Sequence, residues 1–437
     1  MRIPFFVRLV LVTLLCLPWL ALSQSFDPLT AARLQNTLDS MRMTHNVKGV
    51  SASVLFPGRG LWQGTSGVSF ATEQITPDME FGIGSNSKLF TAVTLLKLVE
   101  RGLLALDDSL HEWLPSFKNI DSTITIRQIL NHTSGIADIN EIPGYPDSIL
   151  SNPLRAFTPE EVLAWVGPPQ FRAGTSWSYC NTNYILAGMI AERASGQKLA
   201  RLLRESVLIP LQLDSTFLPM EETVAGVIAR PWHNGADIGA TPRVSLHSAA
   251  WCAGAMYSTS SEMAQWYAAL MNGRVLRDES FRQMTTFVGS GNYGFGISEK
   301  SVAGRLLWLH GGSIRGYSSQ MVYDTALKAV ICVLINATPA PAALVAQQLL
   351  STLVGTPVSA ISDIDAVLQS VDIFPNPART FFTVRTVEPM DVGITDILGR
   401  ELWRGSIDKT MQIDASAWIP GMYFLHAHGS TMRILKE

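Results

Sequence analysis

Cysteine is scarce: there are four in 437 residues, Cys16 near the N-terminus and Cys180, Cys252 and Cys332 further on. Three remain once the N-terminal segment is set aside, and an odd number leaves a thiol unpaired even in an oxidising compartment, so no disulfide framework is expected. Neither CxxC nor HExxH spacing occurs, which removes the usual zinc signatures. No metal and no other cofactor is expected. Charge is sparse too. Charged residues make up 16% of the chain, the formal net charge is −3, and Lys and Arg form no run longer than a pair. Nucleic acid is therefore not an expected partner, because holding it takes several neutralised phosphates along one face. The apolar stretch at 9–22 falls short of the roughly 20 residues that cross a bilayer. Internal repeats and low-complexity tracts are missing.

The N-terminus has the make-up of a leader. Arg2 and Arg8 flank its start, and Ala21-Leu22-Ser23 offers a small-x-small cleavage site before Gln24. Residues 1–23 read as a signal peptide, leaving no stable membrane span after cleavage. Processing as a lipoprotein at Cys16 is discounted, because Leu15 stands where a small residue is wanted.

Two textures follow. Residues 24–357 alternate helical and strand-like stretches: a helix at 29–43, strands at 49–56 and 60–66 around the turn Pro57-Gly58-Arg59, and a helix at 87–101 ending at Gly102. Strands are expected at 293–298, 305–310, 317–324 and 328–336, with a covering helix at 342–354. That order implies an α/β (α+β) sandwich whose mainly antiparallel sheet is assembled from both ends of the chain. Residues 358–370 read as a linker. From 371 to 437, short alternating runs at 381–387, 391–397, 401–404 and 422–427 read as a small all-β sandwich.

The chemistry concentrates in three places. Ser85 and Lys88 stand one helical turn apart where a strong helix opens, so an amine lies beside a hydroxyl that needs a base. Gly82 and Gly84 allow close backbone approach ahead of the serine. Alone, this spacing also fits a serine cap with a solvent-facing lysine. Tyr179-Cys180-Asn181 lies in a polar loop before an apolar helix at 185–194, and His310-Gly311-Gly312-Ser313 closes a strand. Taken singly, Tyr179 fits a buried aromatic, Asn181 a turn residue and His310 an ordinary strand position.

Together and in this order, S-x-x-K, Y-x-N and H-x-G resemble the serine penicillin-recognising family, which includes class C β-lactamases, DD-carboxypeptidases, D-aminopeptidases and related esterases. The phrases Leu130-Asn131-His132-Thr133-Ser134-Gly135-Ile136 and Ala253-Gly254-Ala255-Met256-Tyr257-Ser258-Thr259 match as well, and the resemblance covers about 30–355. It implies the β-lactamase/transpeptidase fold and a serine hydrolase working through an acyl-enzyme. Ser85 would be acylated, and Lys88 and Tyr179 would share the base role with lowered pKa values. Asn181 would bind Lys88 and the substrate amide. The backbone N–H groups of Ser85 and Ser313 would form an oxyanion hole, with Gly312 keeping the strand bare against the substrate. His310 would meet a substrate carboxylate or help protonate the leaving group. His132 reads as loop packing, and Cys180 as pointing away.

The substrate would be a small molecule or peptide with an amide or ester bond. β-Lactamases of this type usually carry lysine where His310 stands and often threonine at Gly311, which shifts weight to peptidase, amidase or esterase chemistry. A β-lactamase proper and a non-catalytic surface binding protein are the competing functions. Residues from 371 resemble the C-terminal sorting domain of the type IX secretion system, on Phe374-Pro375-Asn376-Pro377, Asp396-Ile397-Leu398-Gly399-Arg400 and Gly421-Met422-Tyr423-Phe424-Leu425. That resemblance implies the type IX machinery as partner and a secreted or cell-surface location reached through the periplasm. A carbohydrate-binding or spacer sandwich is the competing reading of this piece.

Overall fold

Residue parity along one strand sets the layering. In β1 (Gly49–Phe56), Val50, Ala52 and Val54 face one apolar cluster, while Ser51 and Ser53 face the other way. Their hydroxyls both meet Ser260 Oγ, at 2.9 and 2.8 Å. The computed structural model describes residues 26–222, 226–355, 371–374, 378–386, 389–396, 400–427 and 430–436. The expected signal peptide at 1–23 and linker at 358–370 lie outside the described residues.

Helix α1 (Pro28–Thr44) is capped by Asp27, whose carboxylate accepts from the Thr30 amide, and buries Leu34 and Leu38. Strand β1 pairs with β2 (Gly60–Phe70), which carries the short β3 (Glu73–Gln74) at its edge. Helix α2 (Ser87–Glu100), helix α3 (Asn181–Ser195), helix α4 (Val244–Gly254) and helix α5 (Ser260–Met271) make up the helical middle. Four strands close the sheet: β4 (Ser298–Val302), β5 (Arg305–Ile314), β6 (Tyr317–Asp324) and β7 (Ala329–Ile335). The seven-stranded order is β3-β2-β1-β7-β6-β5-β4, antiparallel throughout.

β1 and β7 lie side by side at the centre, with Val50 opposite Ile335, so the sheet is indeed built from both ends of this region. In β7 every residue is buried: Ile331, Val333 and Ile335 face α1 and helix α6 (Ala342–Val354), while Val330, Cys332 and Leu334 face the helical middle. A strand apolar on both faces needs cover on both sides, and the two helical layers provide it.

Two expectations need correction. The run at 293–298 is not a strand: Tyr293 makes isolated bridges to Val288 and Ser298, and pairing starts at Ser298. The cause is Gly296, at φ +74, where a Cβ would sit 2.7 Å from Leu89 Cα, so this segment wraps closely round the start of α2. Helix α3 begins at Asn181 rather than at 185. Its first turn is made of poor helix formers held by tertiary bonds: Thr182 donates to Ala137 O, and Asn183 accepts from Ser134 Oγ at 2.7 Å.

The C-terminal piece has its own core. One sheet orders β8 (Val371–Phe374), β9 (Phe381–Thr386) and β12 (Thr410–Asp414). The other orders β11 (Glu401–Ile407), β10 (Met390–Asp396), β13 (Gly421–Ala427) and β14 (Ser430–Lys436). Phe382, Val384 and Ile413 of the first pack with Val392, Ile394, Leu425 and Ile434 of the second, an all-β sandwich.

Candidate active site

The turn before α2 is pinned from three sides. Phe81-Gly82 pairs with Tyr257-Ser258, and the Ile83 amide donates to Met256 O at 2.9 Å. Ser319 Oγ on β6 donates to Ile83 O at 2.7 Å and accepts from Asn86 Nδ2 at 2.7 Å. Between these contacts the turn runs against β5 with no room for side chains. A Cβ on Gly84, at φ +53, would strike the Ser313 amide, and one on Gly312 would strike Ile83 O. The two glycines therefore bring the backbone of Ser313 against the turn that carries Ser85.

Ser85 sits in a 3-10 turn (Gly84–Asn86) that leads into α2, and Lys88 follows one turn later. Lys88 is fully buried, and its Nζ has three oxygen neighbours: Ser85 Oγ at 3.0 Å, Asn181 Oδ1 at 2.7 Å and Ala253 O at 2.6 Å. Burial lowers its pKa to about 7, and the Asp138 carboxylate restrains that fall. An amine poised there spends part of its time neutral near pH 7 and can take a proton from Ser85.

The carbonyl of Ala253 reaches Lys88 because α4 is kinked. Trp251 holds φ 35 and ψ −127 inside the helix, outside helical space, and its indole donates to Glu221 at 2.9 Å. The same kink frees Cys252 O to accept from Thr91 Oγ1 at 2.9 Å.

Asp138 is the residue that sequence reading missed. Its carboxylate accepts from Asn181 Nδ2 at 2.9 and 3.2 Å and from the Asn181 amide at 3.2 Å, which turns Asn181 Oδ1 towards Lys88. Burial raises its pKa, opposed by bonds from Asn140 and by the Lys88 charge. It lies two residues beyond the phrase from Leu130 to Ile136 already singled out, and nothing in its local pattern marks it.

Tyr179 stacks under the amine, with Lys88 Nζ 4.9 Å from the ring centre. Its buried hydroxyl makes no hydrogen bond of good geometry among the described residues, and Ser85 is the side chain within its reach. Burial raises its pKa well above the usual phenol value, with Ser85 opposing, so the expected lowering does not occur. Ringed by His132, Tyr293 and His310, the phenol loses more to burial than the Ser85 hydroxyl returns to its ionised form.

His310 also departs from expectation. Residues alternate along β5, so His310 turns inward with Ile314 while Ser313 faces out. Its Nε2 accepts from the Tyr293 hydroxyl at 2.8 Å, and its Nδ1 faces Gly311 O at 2.6 Å. Burial, helped by Lys88, lowers its pKa to about 3. A neutral ring with both nitrogens engaged offers no charge to a substrate carboxylate and no proton to a leaving group. It packs 6.1 Å from the Tyr179 ring and shapes that residue's surroundings.

His132 is buried at φ 64, and its Nδ1 accepts from the Cys180 amide at 3.2 Å and from Asn183 Nδ2 at 3.2 Å, bracing the start of α3. Cys180, Cys252 and Cys332 are buried thiols. Burial pushes Cys180 up to about 12 and raises the other two, which keeps them inert near neutral pH.

Ser85, Asn181 and Ser313 line one cavity of about 360 Å³, walled by Tyr145, Ile149, Leu246 and Ala250. Arg315 and His233 stand on the same wall, whereas Tyr179 and His310 do not line it. A wider cleft of about 950 Å³ around His111, Glu160 and Glu192 contains none of the Ser85 constellation, so chemistry rather than size selects the site.

Known proteins share this arrangement of elements. Residues 30–353 match the family model described as beta-lactamase, and residues 372–437 match the one described as secretion system C-terminal sorting domain. The chain is 33% identical over 225 residues to penicillin-binding protein 4 of Amycolatopsis lactamdurans, covering 49% of this chain and 56% of that protein. It is 31% identical over 223 residues to the esterase EstB of Burkholderia gladioli, covering 47% and 55%. The chain thus spans about half the length of these curated relatives. Among solved structures, a D-stereospecific amidohydrolase from Streptomyces sp. superposes with a TM-score of 0.66 at 29% identity, over 75% of this chain and 99% of that one. A turn-borne serine, the lysine one turn on and a glycine-bared strand are thus set in a chain that belongs to the beta-lactamase family and ends in a secretion system C-terminal sorting domain.

Proposed function

We propose that this protein is an exported serine hydrolase that cleaves an amide or ester through an acyl-enzyme on Ser85. The observation that carries the reading is the buried Lys88 amine, 3.0 Å from Ser85 Oγ and held by Asn181 and Ala253 O. In its neutral form Lys88 takes the Ser85 proton as Oγ attacks the substrate carbonyl. The backbone N–H groups of Ser85 and Ser313 receive the oxyanion. Tyr179, kept protonated by burial, donates its proton to the departing nitrogen or oxygen and is reprotonated from Lys88. Water then attacks the ester at Ser85 by the same route in reverse, restoring the serine. Asn181 holds Lys88 and meets the substrate amide, and Gly312 keeps the strand clear.

The relatives span an esterase and a D-stereospecific amidohydrolase, which supports amide or ester carbonyls as the substrate class. A neutral, inward-turned His310 argues against β-lactam antibiotics as first substrates, because it presents no cation to their carboxylate. Residues 1–23 direct the chain across the inner membrane, 24–357 form the hydrolase, and 371–437, beyond a linker at 358–370, address it through the type IX machinery to the cell surface or beyond. Incubation with a fluorophosphonate followed by peptide mass spectrometry should place an adduct on Ser85. Absence of any adduct there, together with full activity in Ser85→Ala, would remove the mechanism. Rapid turnover of a chromogenic cephalosporin would restore the β-lactamase reading.

A further inference from the structure

The cavity beside Ser85 has a chemical bias that the mechanism does not use. Its wall is mostly apolar, and among the described residues no acidic one lines it and one fixed cation, Arg315, stands on it. Arg315 stands in the two-residue turn between β5 and β6, directly after Ser313 and Ile314, which line the same cavity. Its side chain is half-buried and makes no hydrogen bond or ion pair among the described residues. Elsewhere the half-buried arginines Arg127, Arg204, Arg230 and Arg305 each hold a carboxylate (Asp107, Glu222, Asp237 and Asp324), and Arg42 donates to Ser66 Oγ at 2.8 Å. A guanidinium taken partly out of water with no counter-charge is unfavourable, and a ligand that brings one relieves it.

The surroundings add more positive charge and hold the residue in place. Arg243 Nη2 donates to the Arg315 carbonyl at 2.8 Å, its Nε donates to His247 Nε2 at 3.2 Å, and its guanidinium lies over the Tyr317 ring, again with no carboxylate among the described residues. His233, whose pKa is lowered by burial and then by Arg315, completes the wall with Nδ1 on Thr338 Oγ1 at 2.9 Å. Asp237, next to Ile238 in the adjoining small pocket, is committed to Arg230 through both oxygens.

The position of the cavity says which part of a substrate would enter it. Tyr179, the proton donor to the leaving group, lies off the cavity with His310, while Ser313 and Arg315 border it. The leaving group belongs on the Tyr179 side, so the acyl group occupies the cavity.

We propose that Arg315 is a specificity determinant that binds an anionic group at the far end of the substrate's acyl portion, so that the favoured acyl groups are apolar stretches ending in a carboxylate. This rests on Ser85 being the nucleophile, and the test separates the two. The probes are p-nitrophenyl hydrogen adipate and p-nitrophenyl hexanoate, matched in acyl length and differing in the terminal charge. The full-length protein should prefer the carboxylate ester by about tenfold or more in kcat/KM at low salt. That ratio should fall to near one in Arg315→Gln, survive in part in Arg315→Lys, and fall below one in Arg315→Glu. Where turnover is too slow to read, the same ratio is taken from protection of Ser85 against a fluorophosphonate by monomethyl adipate over dimethyl adipate. A ratio near one in the unaltered protein, or a ratio that Arg315→Gln leaves unchanged, overturns the assignment. If Ser85 is labelled while the ratio is one, the Arg315 assignment alone fails. If Ser85 takes no label and neither ester turns over, the nucleophile reading fails and takes this one with it.

Discussion

The base role proposed for Lys88 depends on a lack of water rather than on a strong base nearby. Burial brings it to about pKa 7, so the free amine gains ground as the pH rises. The rate of Ser85 labelling should therefore climb through about pH 7 and level off above it, and Lys88→Arg should lower kcat/KM by about 10²–10⁴-fold. A flat profile between pH 5 and 9 would contradict the role given to the amine. Glu80 offers a stability counterpart. Its carboxyl is buried without a hydrogen-bond partner among the described residues, and burial, then the Glu262 charge, lifts its pKa from 4.5 to about 7. The unfolded chain releases that proton first, so this part of the stability is complete below about pH 4.5 and is lost as the pH rises to about 7. Glu80→Gln should remove the loss and raise the melting temperature by about 2–4 °C at pH 8 with little change at pH 4.5, measured by thermal unfolding. At this scale the sequence picked out the groups proposed to react but not those that hold them. Ser85, Lys88 and Tyr179 announce themselves by type and spacing. Asp138 works through Asn181, 43 positions away, and local pattern carries no record of such a partner.

Among the elements, β5 and the turn before α2 act as one unit, because Gly312 and Gly84 let them touch. Gly312→Ala would place a methyl group on Ile83 O, and the strand would have to retreat from Ser85. Acylation should fall by about 10²-fold or more while the circular dichroism spectrum stays unchanged, since an oxyanion donor is lost and no element is broken. Regular elements were legible where one period dominates. The alternation of β1 and the apolar run of α6 reproduce the expected 49–56 and 342–354 to the residue. Failures cluster where the fold overrides local preference. Asn181-Thr182-Asn183 is helical because Ala137, Ser134 and His132 hold its side chains, and 293–298 bends because Gly296 rests on α2. Both exceptions border the site. Strain and close approach there serve geometry, not propensity.

For the molecule as a whole, the sandwich near the C-terminus has a separate apolar core, whereas α6 completes the core of the hydrolase. A chain ended after residue 357 should keep its ester-cleaving activity and lose its route off the cell. One ended after residue 338 should be insoluble, because Val345, Ala346 and Leu349 no longer cover β1 and β7. Solubility and p-nitrophenyl ester turnover of the two truncations would decide this. The pairing of β1 with β7 also bears on the order of events during synthesis. The central strand of the sheet is among the first made, yet its neighbour on one side is not translated until residues 329–335 emerge. Local hairpins and helices can form earlier, but the nucleophile's sheet cannot close before nearly the whole enzyme exists. A newborn chain thus stays threadable until late in its own manufacture, which would suit the export proposed for it.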